Sequence, residues 1–187
     1  YIESELDYNT PICDSDYDTY SELPAAFPDD LNSFYSKYPS ARNQNPYGTC
    51  WAFSSIGLAE YDLINDNGAD ENVDLSELQL AYFTYNSVLD PLGGTEGDSA
   101  KYYNENATES YLNYGGNYAM AARRLAQWCG PVNETDVPYN QASNTISNGL
   151  DESYAYGYDE AHLENTYLIN IKENTDDVKQ QIMEHGA

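Results

Sequence analysis

The segment Gln44-Asn45-Pro46-Tyr47-Gly48-Thr49-Cys50-Trp51-Ala52-Phe53-Ser54-Ser55 constrains this chain more than any other stretch. An amide side chain stands six residues before a cysteine, a Gly-Thr turn precedes that cysteine, and an apolar helical pattern starts at it. A helix N-terminus carries partial positive charge and N–H groups that lack intrahelical acceptors. A thiol placed there ionises more easily, and the thiolate is the reactive form. The Gln44 amide can donate to the oxyanion that forms when such a thiolate attacks a carbonyl. The segment therefore reads as a cysteine acyl-transfer site, with Cys50 as nucleophile and Gln44 as oxyanion donor.

The remaining composition limits what that site serves. A chain of 187 residues suits one medium domain, or one domain and part of another, and can bury a core. With 32 acidic against 7 basic residues the net charge is −25, which argues against nucleic acid and anionic membranes as partners. The acidity reads as a solvated surface, a cation-rich setting or a preference for basic partners. Twenty Tyr against four Phe fits an extracellular protein, because tyrosine buries a ring and keeps a polar tip in water. Of the three cysteines, Cys13 and Cys129 can pair or stand as separate thiols if Cys50 is free. No run is long and apolar enough to insert in a membrane, and no secretory signal is visible. The abrupt start at Tyr1 and the abrupt end after a helical pattern suggest a processed protein.

Along the chain, residues 1–21 are acidic and aperiodic. Asp14, Asp16 and Asp18 mimic the start of a calcium loop, but Thr19 and Ala25 stand where its Gly and Glu belong. A first helix is expected from Cys50, with Ala52, Phe53, Ile56, Ala59 and Leu63 on one face and Asn67-Gly68 at its end. A second opens at Ser76 with a capping box to Gln79. Residues 90–116 form a long irregular stretch, where Asp90, Glu96 and Asp98 are most simply solvated. A third helix is expected over Tyr118–Trp128, with Ala122, Leu125, Ala126 and Cys129 on one stripe and Gly130-Pro131 stopping it. Residues 139–160 are polar and turn-rich, 167–171 alternate as a strand, and a last helix runs from Thr175 to Gly186. Neither a metal nor a cofactor is expected.

These residues resemble the N-terminal portion of the papain-like cysteine proteases, the C1 peptidases, and within them a bacterial secreted branch. The resemblance spans roughly residues 22–187. Besides Gln44–Ser54, Asp74-Leu75-Ser76-Glu77 resembles the family's "LSEQ" helix start, Tyr114-Gly115-Gly116-Asn117 its cleft glycines, and Val137-Pro138-Tyr139 its "YPY" element. Val178–Ala187 resembles the helix before the first long barrel strand. The resemblance implies Cys50 as nucleophile, Gln44 and the Cys50 N–H as the oxyanion hole, and Trp51 packed behind the cysteine. Gly115 and Gly116 would let a substrate backbone lie against the chain, with Asn117 and Tyr118 near the pocket for the second residue before the cut. A family disulfide is absent, since Tyr47 and the Asn113-Tyr114 region hold no cysteine. The only histidines, His162 and His185, do not stand in the family's context for the catalytic base.

The expected fold is α+β and papain-like: a mostly helical left domain and the start of a right, barrel-like domain. Residues 1–21 are an acidic extension or pro-segment remnant, 22–160 the left domain, and 161–187 the first, incomplete elements of the right. The expected function is a secreted or cell-surface cysteine endopeptidase of bacterial type acting on peptide or protein substrates. This fragment alone would be inactive. Its catalytic His and Asn would come from a C-terminal remainder of the same protein. The alternative is a non-catalytic binding or adhesion module on the same scaffold.

Overall fold

Helix α1 (Cys50–Asn65) begins at the cysteine in a computed structural model that describes residues 38–65, 67–93, 99–100, 108–166 and 175–185. Thr49 starts it, its carbonyl accepting from the N–H groups of Ala52 at 2.9 Å and Phe53 at 3.1 Å. Ala52 and Ile56 are fully buried, and Ala59 and Leu63 pack partly against the same core, as the apolar spacing predicts. Trp51, Glu60 and Tyr61 are buried as well, so the covered face is wider than the apolar stripe.

Helix α2 (Glu77–Tyr85) is buried almost all round, including Glu77, Gln79 and Thr84. Ser76 caps it, accepting from the Gln79 N–H at 3.0 Å. The expected capping box is only half formed. Gln79 Nε2 donates instead to the Tyr154 carbonyl at 2.9 Å, and the Ser76 N–H donates to Val132 O at 2.9 Å. Buried this deeply, the glutamine has a carbonyl to satisfy, and a neighbouring segment has already taken the cap's own donor.

Helix α3 (Tyr118–Ala126) ends two residues short of the expected Trp128. Its buried stripe is Ala121, Arg124 and Leu125, rotated from the expected one, and Ala126 faces solvent. Packing on α1 and α2 sets that face. Trp128 takes a left-handed conformation (φ 57°), and this turn, not the helix, buries Cys129. Cys129 is a free thiol that burial pushes up to about 11; Cys13 lies outside the described residues.

The stretch 139–160, expected as turns, contains a 3-10 turn at Tyr139–Gln141, helix α4 (Ala142–Asn148) and helix α5 (Ser153–Tyr156). Only Ala142, Thr145 and Ala155 of the two helices are buried, too few apolar positions to mark a periodic face. Helix α6 spans Thr175–His185, close to its expected limits. Among the described residues the extended pairing consists of single antiparallel bridges, Leu75 with Asn133 and Val132 with Asp159. The expected strand at 167–171, the three aspartates near the N-terminus, Glu96 and Asp98 all lie outside the described residues. No helix among them is long and apolar enough to cross a membrane.

An ionic cluster fastens the segment leading to the loop before α1. Arg42 pairs with Glu60 of α1, with Asp74 at 2.5 Å and with Glu77 of α2 at 3.1 Å. Glu60 also accepts from the Leu75 N–H at 2.7 Å. One cation among buried carboxyls leaves them short of positive charge. Burial, with Glu134 and Glu60 nearby, pushes Glu77 up to about 7 against the pull of Arg42. Burial likewise carries Glu134 to about 7.

Candidate active site

The Cys50 side chain is exposed at the first residue of α1. Its N–H has no hydrogen-bond acceptor among the described residues, as expected for the first turn of a helix. The loop Gln44–Thr49 leads into it. Gln44 Nε2 donates to the Tyr47 carbonyl at 3.0 Å, and the Tyr47 N–H donates to the Gln44 carbonyl at 3.1 Å. A primary amide has two N–H groups. One anchors the side chain, and the second is free to meet a ligand atom. Helix start and amide thus put two kinds of donor on one short loop, which is what a developing oxyanion needs.

Three other segments hold this loop in place. The Tyr47 and Ser143 hydroxyls lie 2.9 Å apart, tying the loop to α4. The Gly48 N–H donates to Asn113 Oδ1 at 3.2 Å, and a Cβ on Gly48 would stand 3.5 Å from Asn113 Cα. This hydrogen bond joins the same two stretches that the resemblance links by a disulfide. Tyr139 Oη donates to the Gln44 carbonyl at 2.7 Å and lies 2.5 Å from Thr49 Oγ1. Its ring meets Phe53 edge-on, with centroids 4.8 Å apart.

Gly115 and Gly116 stand apart in their reasons for being glycine. Gly115 has φ +80°, with open space where a Cβ would point; its carbonyl accepts from Tyr85 Oη at 2.8 Å. Gly116 lies against Trp51, whose indole would be 2.4 Å from its Cβ. The structure therefore gives Gly116 a reason inside the protein, separate from any bound peptide. Asn117 caps α3 through Met120 N–H at 3.0 Å and is exposed, as is Tyr118 beside it. Tyr82, Tyr85, Tyr111 and Tyr114 pack edge to face or tilted behind this turn. Part of the tyrosine excess thus packs ring against ring as a half-buried layer.

His162 stacks on Trp128, with centroids 4.5 Å apart and planes 8° from parallel, and its Nε2 lies 3.2 Å from Asp159 Oδ2. His185 closes α6, and its side chain lies outside the described residues. Ser143 was not singled out by sequence reasoning, Thr49 was read only as part of the Gly-Thr turn, and Asn113 only as a position without cysteine. Their role is to bond the loop, and a lone polar residue carries no signal for a partner distant in sequence. Tyr139 was visible only within Val137-Pro138-Tyr139. No group of three or more His, Cys, Asp or Glu side chains fit to hold a metal occurs among the described residues.

Helix α1 thus opens on an exposed cysteine, is entered by a glutamine loop, and packs its second residue, Trp51, against Gly116. The chain belongs to the papain family of cysteine proteases, whose family profile matches residues 29–187. It is similar to a cysteine protease from the mite Blomia tropicalis, 26% identical over 168 residues. That match covers 90% of this chain and 42% of the relative, so the chain spans less than half of the mite protein's length. The relative does not bear on a bacterial source. No solved structure matches.

Proposed function

We propose that this chain supplies the nucleophile and oxyanion hole of a secreted papain-like cysteine endopeptidase. The carrying observation is the exposed Cys50 at the start of α1, with its free N–H and the anchored Gln44 amide on the same loop. The Cys50 thiolate bonds to the carbonyl carbon of a peptide, and the carbonyl π pair moves onto oxygen. Gln44 Nε2–H and the Cys50 N–H donate to that oxyanion. Collapse breaks the C–N bond; the amine leaves with a proton from an imidazolium, and a thioester remains. Water, losing its proton to the imidazole, then releases the acid and the thiolate.

The imidazole and its orienting Asn come from the C-terminal remainder of the protein. His162 is held by Trp128 and Asp159, which supports seeking the base elsewhere. Residues 22–160 form the left wall of the cleft, and 161–187 begin the right. Gly115, Gly116, Asn117 and Tyr118 border the substrate, Gly116 also serving Trp51.

The test is labelling of the full-length protein with a peptidyl epoxide, read by mass spectrometry. Modification at Cys50, lost in Cys50→Ala together with peptidase activity, is expected. A full-length protein that neither labels nor cleaves peptides would instead be a binding module on the same scaffold.

A further inference from the structure

We infer that Tyr139 is a positioning residue for the oxyanion hole, its hydroxyl latching both of that hole's donors at once. The inference rests on the proposed peptidase reading. Tyr139 Oη donates its single proton to the Gln44 carbonyl at 2.7 Å, so the Thr49 hydroxyl, 2.5 Å away, must be the donor in the second bond. Gln44 carries the side-chain donor, and Thr49 immediately precedes the Cys50 N–H. One phenol thus ties together the two ends of the loop that must converge on one oxygen atom.

Packing holds the loop in part, since Tyr47 lies against the core and Thr49 is buried. Beside the loop a solvent-open pocket of about 330 Å³ is lined by Asn45, Pro46, Tyr47, Tyr139, Ala142 and Ser143. Where the loop borders open space its position depends on hydrogen bonds, and Tyr139 makes two of them. Tyr139 is itself fixed. Its backbone N–H donates to Glu134 Oε1 at 2.7 Å, its ring abuts Phe53, and Thr49 is fully buried. A preorganised donor set loses effect steeply with small displacements.

The test compares two reagents on the full-length protein. Iodoacetamide alkylates the thiolate by displacing iodide and forms no oxyanion. A peptidyl aldehyde adds the thiolate to its carbonyl carbon and places a new oxygen in the hole. In Tyr139→Phe the ring and its packing remain and the latch is gone. We expect kcat and aldehyde affinity to fall about tenfold, with KM and the alkylation rate changing less than about twofold. Thr49→Val, which keeps the shape and removes the hydroxyl, should show the same split, and the double variant should be no worse than either alone.

Wild-type kcat and aldehyde affinity in Tyr139→Phe overturn the inference. Equal losses in alkylation and aldehyde binding also overturn it, because they reveal a general loosening of the site. An inactive, unlabelled wild-type protein defeats the underlying peptidase reading, and so is distinguishable from either result.

Discussion

Gly116 and Trp51 are in direct face contact: a Cβ on Gly116 would stand 2.4 Å from the indole atoms Cδ2 and Cε2. Trp51 follows Cys50 in sequence and is buried, whereas Gly116 is exposed on the turn before α3. The contact therefore joins the start of α1 to the turn before α3, and a methyl group there must move one of the two.

Gly116→Ala is expected to lower both stability and peptidase activity, with a cost in the range of about 1–3 kcal/mol for an overpacked contact. Gly115→Ala meets open space and bears only the strain of φ +80°, about 1 kcal/mol. Chemical denaturation of the two variants gives the order. A Gly116→Ala protein as stable as wild type would show that the indole can shift freely.

Asn113→Ala removes the acceptor for the Gly48 N–H. The expected cost, about 1 kcal/mol as for a single hydrogen bond, falls on local opening of the loop. Because the bond holds the loop and not the core, hydrogen exchange at Gly48 and its neighbours should quicken while global unfolding changes little. Unchanged exchange at Gly48 would remove Asn113 from the set of loop supports.

Glu77 carries a carboxyl raised from 4.5 to about 7, burial being the main cause, and is 1% exposed. A raised acid binds its proton more tightly in the folded state. Its contribution is therefore complete below the unfolded value and is lost as pH climbs through about 7. Glu77→Gln mimics the protonated form at every pH. Relative to wild type, the variant should gain on the order of 3 kcal/mol between pH 4.5 and 8, measured by urea unfolding. A pH-independent difference between the two proteins would contradict the raised titration.

His162→Ala should leave peptidase activity of the full-length protein unchanged within about twofold and alter the fluorescence of Trp128, whose ring it covers. Loss of activity by several orders of magnitude would make His162 the base and overturn the reading of a base from the C-terminal remainder.

The local signals were strong where one residue's chemistry is decisive. Cys50 at a helix start and Ser76 as a cap follow from backbone donors and side-chain acceptors. The signal failed where burial is shared among polar residues. Helix α4 buries only Ala142 and Thr145, so its seven residues look like a loop. Helix α3 shows the same limit in its register, since alanines at 121, 122 and 126 are equally able to face a core.

The sequence by itself determined the family and the order of Gln44, Cys50 and the Gly115-Gly116 turn, because each of these sits in a short run of residues with its own chemistry. Only the tertiary structure decided what holds them in place. Tyr139 reaches Gln44 and Thr49 across separations of 95 and 90 residues, and Asn113 reaches Gly48 across 65. It also decided that Gly116 answers to Trp51 and that the capping glutamine serves Tyr154. A hydrogen bond or a close contact is set by distance in space, and spacing along the chain carries no record of it until the helices have packed.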